Sequence, residues 1–185
     1  MDGQPSRRQA LVDAAFRGIA ERGLEGLRLR PVAADAGIDH STLHHYFATK
    51  QDLMSAVLEH VTRQFWATLP PDGSAAEQLR HHLTALGRLI RREPELFVVL
   101  AEFDLRGQRD PAVGQVIERV EAGWRDSLTE VWRRGATQHA WTPRLAPATA
   151  VELIIAVVKG VRLLPDRAEA VLRGLEETMI QQHRG

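Results

Sequence analysis

The sequence predicts an all-α protein, read as nine helices, and three observations carry that expectation. Apolar residues recur at spacings of three and four along most of the chain, while no alternating run is long enough for a strand. Helix-start patterns recur: Ser6 with Gln9, Ser74 with Glu77, and the close variants Thr49 with Asp52 and Asp166 with Glu169. Prolines mark the breaks between periodic segments, at Pro94, Pro143, Pro147 and Pro165. Asp110 precedes Pro111, as a cap precedes a first-turn proline. The expected helices run over 6–22, 30–36, 40–47, 50–68, 74–92, 94–106, 111–138, 147–163 and 166–182.

The first helix, SRRQALVDAAFRGIAERG, is amphipathic and ends at a glycine. In the second, Val32, Ala33 and Ala36 supply a small apolar face. Gly37 takes φ > 0 easily and so stops it. Ile38 packs the turn. Asp39 suits the N-cap of the third helix, in which Leu43 and Phe47, four apart, face one core. The pattern is a helix-turn-helix. It leaves His40, Ser41, Thr42, His44, His45 and Tyr46 largely free of core duties. Arg28 and Arg30, at the entry, carry the side chain best shaped to clamp a phosphate or a guanine edge. Taken alone, these residues also fit an ordinary helical hairpin.

The fourth helix starts at once in ATKQDLMSAVLEHV, with Lys50 in its first turn. Pro70-Pro71-Asp72-Gly73 is a turn between helices and not a domain linker. Glu102, inside LFVVLAEFDL, faces either a cavity or solvent. Three later stripes are legible: Ile117, Val120, Trp124, Leu128 and Val131; Leu153, Ile154, Val157, Val158 and Val161; Val171, Leu172, Leu175 and Met179. Ala156 and Gly160, one turn apart, permit close helix approach. These stripes either close the monomer core or meet a second subunit. Trp66, Phe97, Phe103, Trp124, Trp132 and Trp141 are spread over several helices. Each is more often core than ligand contact, yet such residues also line small-molecule cavities.

Composition narrows the classes. A chain of 185 residues buries a real core. Cysteine is absent, which leaves no disulfide framework and no thiol chemistry. No signal peptide is legible, and the most apolar run, 151–158, is too short to span a bilayer. No membrane partner and a cytoplasmic site are expected. The formal net charge is zero, which argues against a protein that coats nucleic acid non-specifically. Seven basic side chains face six acidic ones between Met1 and Lys50, so a positive surface there rests on placement; Arg7, Arg8, Arg28, Arg30 and Lys50 are its candidates. His40 and His44, four apart, have zinc-ligand spacing, but no third ligand is placed and no metal or cofactor is expected. G-x-S-x-G, H-E-x-x-H and a Gly-rich phosphate loop are missing, so no enzyme is expected.

Together, Arg8 through Leu58 resemble the tetracycline-repressor (TetR) family of transcription regulators. The resemblance rests on Leu11, Ala14, Ala15, Ile19, Glu21 and Gly23; on Val32, Ala33, Gly37, Ile38, Thr42, Leu43 and Phe47; and on Lys50, Asp52 and Leu53. The family usually has tyrosine where this chain has His44, and a small polar residue where it has Arg28. The resemblance implies an N-terminal three-helix DNA-binding domain over 1–50. A helical effector-binding and dimerisation domain over 51–185 follows. It implies a homodimer on a palindromic double-stranded DNA operator, most often a repressor, released by a small effector. The DNA-contacting residues are then Arg28, Arg30, His40, Ser41, Thr42, His44, His45, Tyr46 and Lys50. A mostly apolar or aromatic effector would meet Trp66, Phe97, Leu100, Phe103, Trp124 and Leu128. The partner would meet Ile154, Val158, Val171, Leu172, Leu175 and Met179. The other reading is a helical small-molecule-binding protein without sequence-specific DNA binding.

Overall fold

The structure, a computed structural model, describes residues 6–141 and 145–180. Among them nine α-helices form: α1 (Arg7–Arg22), α2 (Leu29–Asp35), α3 (His40–Tyr46), α4 (Lys50–Trp66), α5 (Ala75–Arg92), α6 (Pro94–Gly107), α7 (Pro111–Thr137), α8 (Pro147–Val161) and α9 (Ala168–Met179). Short 3-10 turns occupy Leu24–Gly26 and Pro165–Arg167. No strand forms among the described residues; Trp141 and Ile180 make an isolated antiparallel bridge. The expected break at Pro143, and the end of the last helix at 182, lie outside the described residues.

The caps decide where helices begin. Ser74 and Glu77 form the complete reciprocal box ahead of α5. Thr49 and Asp52 do the same at α4: Thr49 Oγ1 accepts the Asp52 N–H at 3.1 Å, and Asp52 Oδ2 accepts the Thr49 N–H at 2.9 Å. Ser6 forms only half a box, because the Gln9 amide bonds Asp13 and His60 instead of reaching back. Two expected caps do not form. Asp39 makes no side-chain bond to α3. Asp166 lies inside the second 3-10 turn, so α9 starts at Ala168 with no side-chain cap.

Packing divides the chain into two compact units: Met1–Arg63 with Val98–Glu118, and Gln64–Phe97 with Arg119–Gly185. The chain passes from one unit to the other within α4, α6 and α7.

In the first unit α1 buries Leu11, Val12, Ala14, Ala15 and Ile19. Val32 and Ala33 of α2, Leu43 of α3, and Phe47 join that core with Leu53, Val57 and Val61 of α4. Gly37 closes α2 at φ 66°, the left-handed conformation expected of it. The Arg8 guanidinium sits 5.0 Å above the Phe47 ring, a cation over the edge of the helix-turn-helix core.

In the second unit α5 buries Leu79, His82, Leu83, Leu86 and Ile90. It packs closely on α9 at Gly87, where a Cβ would lie 3.2 Å from the Glu169 Cα and force the neighbour to shift by a few tenths of an ångström. Phe65 and Trp124 meet edge to face at 4.6 Å, with His82 beside both. Trp132 and Trp141 stack at 4.5 Å. Four expected partner contacts belong to this core instead. Ile154, Val158, Leu172 and Met179 are buried within the chain, because α8 and α9 turn those stripes inward. Val171 is exposed and Leu175 half-buried.

Candidate nucleic-acid interface

α3 is two turns long and spends one side chain, Leu43, on the core. The rest follows from helical spacing. His40, Ser41, His44, His45 and Tyr46 are exposed, and Thr42 is half-buried. The His40 and His44 rings meet edge to face at 5.1 Å, so these two residues brace one another on the open face. This face presents donors and acceptors at a density suited to base edges and phosphates. Arg30, in the first turn of α2, is also exposed.

Arg28 is partly engaged within the chain. Its Nη1 donates to the carbonyls of Glu25 and Leu27, at 2.5 and 3.2 Å, and fastens the 3-10 turn that enters α2. One edge of its guanidinium is therefore used internally.

Lys50 opens α4 and is half-buried. Partial burial holds its ammonium below the ordinary lysine range. The Arg28 and Arg106 cations push the same way, and Glu25 opposes them. A cation crowded by like charge gains more from an incoming anion than a solvated one does. The Thr49–Asp52 cap uses the amides of Thr49 and Asp52, and first-turn amides have no intrahelical acceptor. Those of Lys50 and Gln51 belong to the same first turn, beside the lysine, at the positive end of the helix dipole.

Behind Lys50 lies a small cleft of about 140 Å³ lined in part by Glu25, Arg106 and Asp110. Arg106 pairs with Glu25 and with Asp110, the latter at 3.0 Å. Four residues earlier on α6, the Glu102 carboxylate accepts the Leu24 N–H at 2.9 Å. Sequence reasoning singled out Glu102 without placing it, and it missed Arg106. Leu24 and Glu25, which these two side chains hold, lie 78 and 81 residues upstream, beyond any local pattern.

The residues nominated for an effector lie mostly in cores. Phe97, Trp124 and Leu128 are buried in the second unit, Leu100 and Phe103 in the first. Trp66 is 44% exposed. A groove of about 790 Å³ in the second unit is lined by other residues: Ala67, Ala85 and Leu89 with His81, Arg88 and Arg92 among them. Large aromatics on amphipathic faces are claimed by core packing before they reach a cavity. No three metal-ligating side chains converge among the described residues, and no helix among them is long and apolar enough to cross a membrane.

Comparison with known proteins agrees with this architecture. Residues 11–57 match the model of the bacterial regulatory proteins, tetR family. The HTH-type transcriptional regulator BetI of Burkholderia thailandensis is 34% identical over 170 residues, covering 91% of this chain and 75% of that protein. Among solved structures, a putative TetR-family transcriptional regulator from Rhodococcus sp. superposes with a TM-score of 0.80. It is 22% identical and covers 94% of this chain and 98% of its own. The transcriptional regulator FadR of Bacillus subtilis, in complex with stearoyl-CoA, gives 0.78 at 19% identity, covering 92% and 98%. The match to BetI extends well past the helix-turn-helix into the helices that follow. This chain is therefore a member of the TetR family, a helix-turn-helix transcription regulator rather than an enzyme.

Proposed function

We propose that the chain is a cytoplasmic repressor that grips a palindromic operator as a homodimer and releases it when a small effector binds. The observation that carries this reading is the open polar face of α3 together with Lys50 in the first turn of α4. Residues 1–50 form the DNA-binding domain and 51–185 serve the effector and the partner. Arg30, His40, Ser41, Thr42, His44, His45 and Tyr46 meet the groove and its phosphates, Lys50 anchors one phosphate, and Arg28 adds its free edge.

Two α3 helices must then sit about one DNA turn apart, roughly 34–36 Å. An effector lowers operator affinity by its differential affinity for a second spacing. α4, which runs from Lys50 to Trp66, is the coupling element. The groove of about 790 Å³ has the size of a small-molecule site. Its apolar Ala67, Ala85 and Leu89 suit an apolar or aromatic body, and Arg88 and Arg92 suit a negatively charged end. We favour it over the buried aromatics as the effector site.

A gel shift with DNA flanking the protein's own gene tests the reading. Saturable binding of that DNA, well above random DNA, is expected. Equal binding of both would leave a helical small-molecule-binding protein.

A further inference from the structure

We infer that Glu102 is a positioning residue for DNA binding: it acts on the turn that leads into the helix-turn-helix, and not on DNA. The proposal rests on the DNA-binding reading of α2 and α3. Gly23 caps the end of α1, and its N–H donates to Ile19 O at 2.8 Å. The 3-10 turn then starts, its first bond running from Gly26 N–H to Gly23 O at 3.1 Å. The Leu24 N–H falls between these two ladders and needs an acceptor from elsewhere. The Glu102 carboxylate supplies it at 2.9 Å.

Gly23 makes room for that contact. It sits at φ 71°, and a Cβ there would lie 3.0 Å from the Glu102 carboxylate. A charged acceptor on a backbone amide is among the stronger hydrogen bonds. One turn further along α6, Arg106 pairs with Glu25, the next residue of the same turn. Two adjacent residues of the turn are thus held by two side chains four apart on α6. Leu24 and Leu27 are buried beneath, and Arg28 bonds the carbonyls of Glu25 and Leu27. The grip therefore reaches the residue before α2, and the direction of α2 sets where α3 meets a groove. A carboxylate would repel phosphate, so contact with DNA is no explanation for Glu102.

The test uses the full chain with its operator. Glu102→Leu keeps the bulk and removes the acceptor, while Glu102→Gln keeps an acceptor. Glu102→Leu should weaken operator binding about tenfold, the loss expected when one charge-assisted hydrogen bond goes. Its salt dependence should not change, because no phosphate contact is lost. Glu102→Gln should recover most of the affinity. By NMR hydrogen exchange the Leu24 amide should be protected in the wild type and in Glu102→Gln, and exposed in Glu102→Leu. Wild-type affinity and Leu24 protection in Glu102→Leu would overturn the proposal alone. If Glu102→Leu does not fold, a freely exchanging Leu24 amide in the wild type overturns it. A wild type that binds no operator would remove the underlying reading instead.

Discussion

The Trp124 indole N–H donates to Nε2 of His82 at 3.1 Å, and that bond fixes how the buried imidazole carries its proton. With Nε2 accepting, the proton sits on Nδ1 and is donated to Thr68 Oγ1 at 2.7 Å. Thr68 in turn donates to the Phe65 carbonyl at 2.6 Å. Three helical segments are joined by one directional chain, in which each polar atom named here has a partner.

His82 is fully buried, and burial pushes its pKa down from 6.5 to about 4. Between those values the unfolded chain binds the proton and the folded chain does not. Stability from this residue is therefore complete above pH 6.5 and drains away as the pH falls towards 4. The total is about 3 kcal/mol. Chemical denaturation from pH 7.5 to 4.5 should show the decline. His82→Gln should be less stable at neutral pH but should lose most of the slope across that window. An unchanged slope would assign it to other groups.

Arg30 tests base readout. It is exposed at the start of α2, from which a long side chain can enter the major groove. A bidentate contact to guanine is worth about 1–3 kcal/mol of discrimination. Arg30→Ala should weaken the operator and flatten preference at one base pair of each half-site. Equal loss on operator and random DNA would show a phosphate contact.

Lys50 tests phosphate anchoring. Lys50→Gln removes a cation crowded by Arg28 and Arg106. Affinity should fall about equally on all sequences. The salt slope should drop by roughly 0.9 for each lost contact, or about 2 for a dimer. An unaltered slope would take Lys50 out of the interface.

The helices were legible in the sequence because their signals are local. Ser74 and Glu77 are three apart, and Gly37 needs only its own φ. The helix-turn-helix core was legible for the same reason: Leu43 and Phe47 lie one turn apart and are buried. What depends on distant partners was not. Asp39 has the right chemistry for a cap, yet makes none. The stripe Val171, Leu172, Leu175 and Met179 has helical spacing, but spacing does not tell a chain's own core from a partner's. The structure buries Leu172 and Met179 and leaves Val171 exposed. Glu102 and Leu24 are 78 residues apart, so no window holds both.

That split stripe sharpens the dimer proposal. The outward face of α8 and α9 carries exposed Leu153 and Val171, half-buried Leu175, and Ala156, Gly160 and Gly174 without bulk above them. Leu163 and Leu164 beyond α8 are 73% and 51% exposed. Exposed apolar side chains of this kind are what a two-fold partner covers, with small residues allowing close approach. A glutamate there would face its own symmetry mate, a buried like-charge pair costing several kcal/mol. Val171→Glu and Leu175→Glu should give folded monomers by light scattering and circular dichroism, with operator binding lost. Leu172→Glu, aimed at the chain's own core, should instead unfold the protein. A monomeric wild type at micromolar concentration, or dimers that survive both outward substitutions, would place the interface elsewhere.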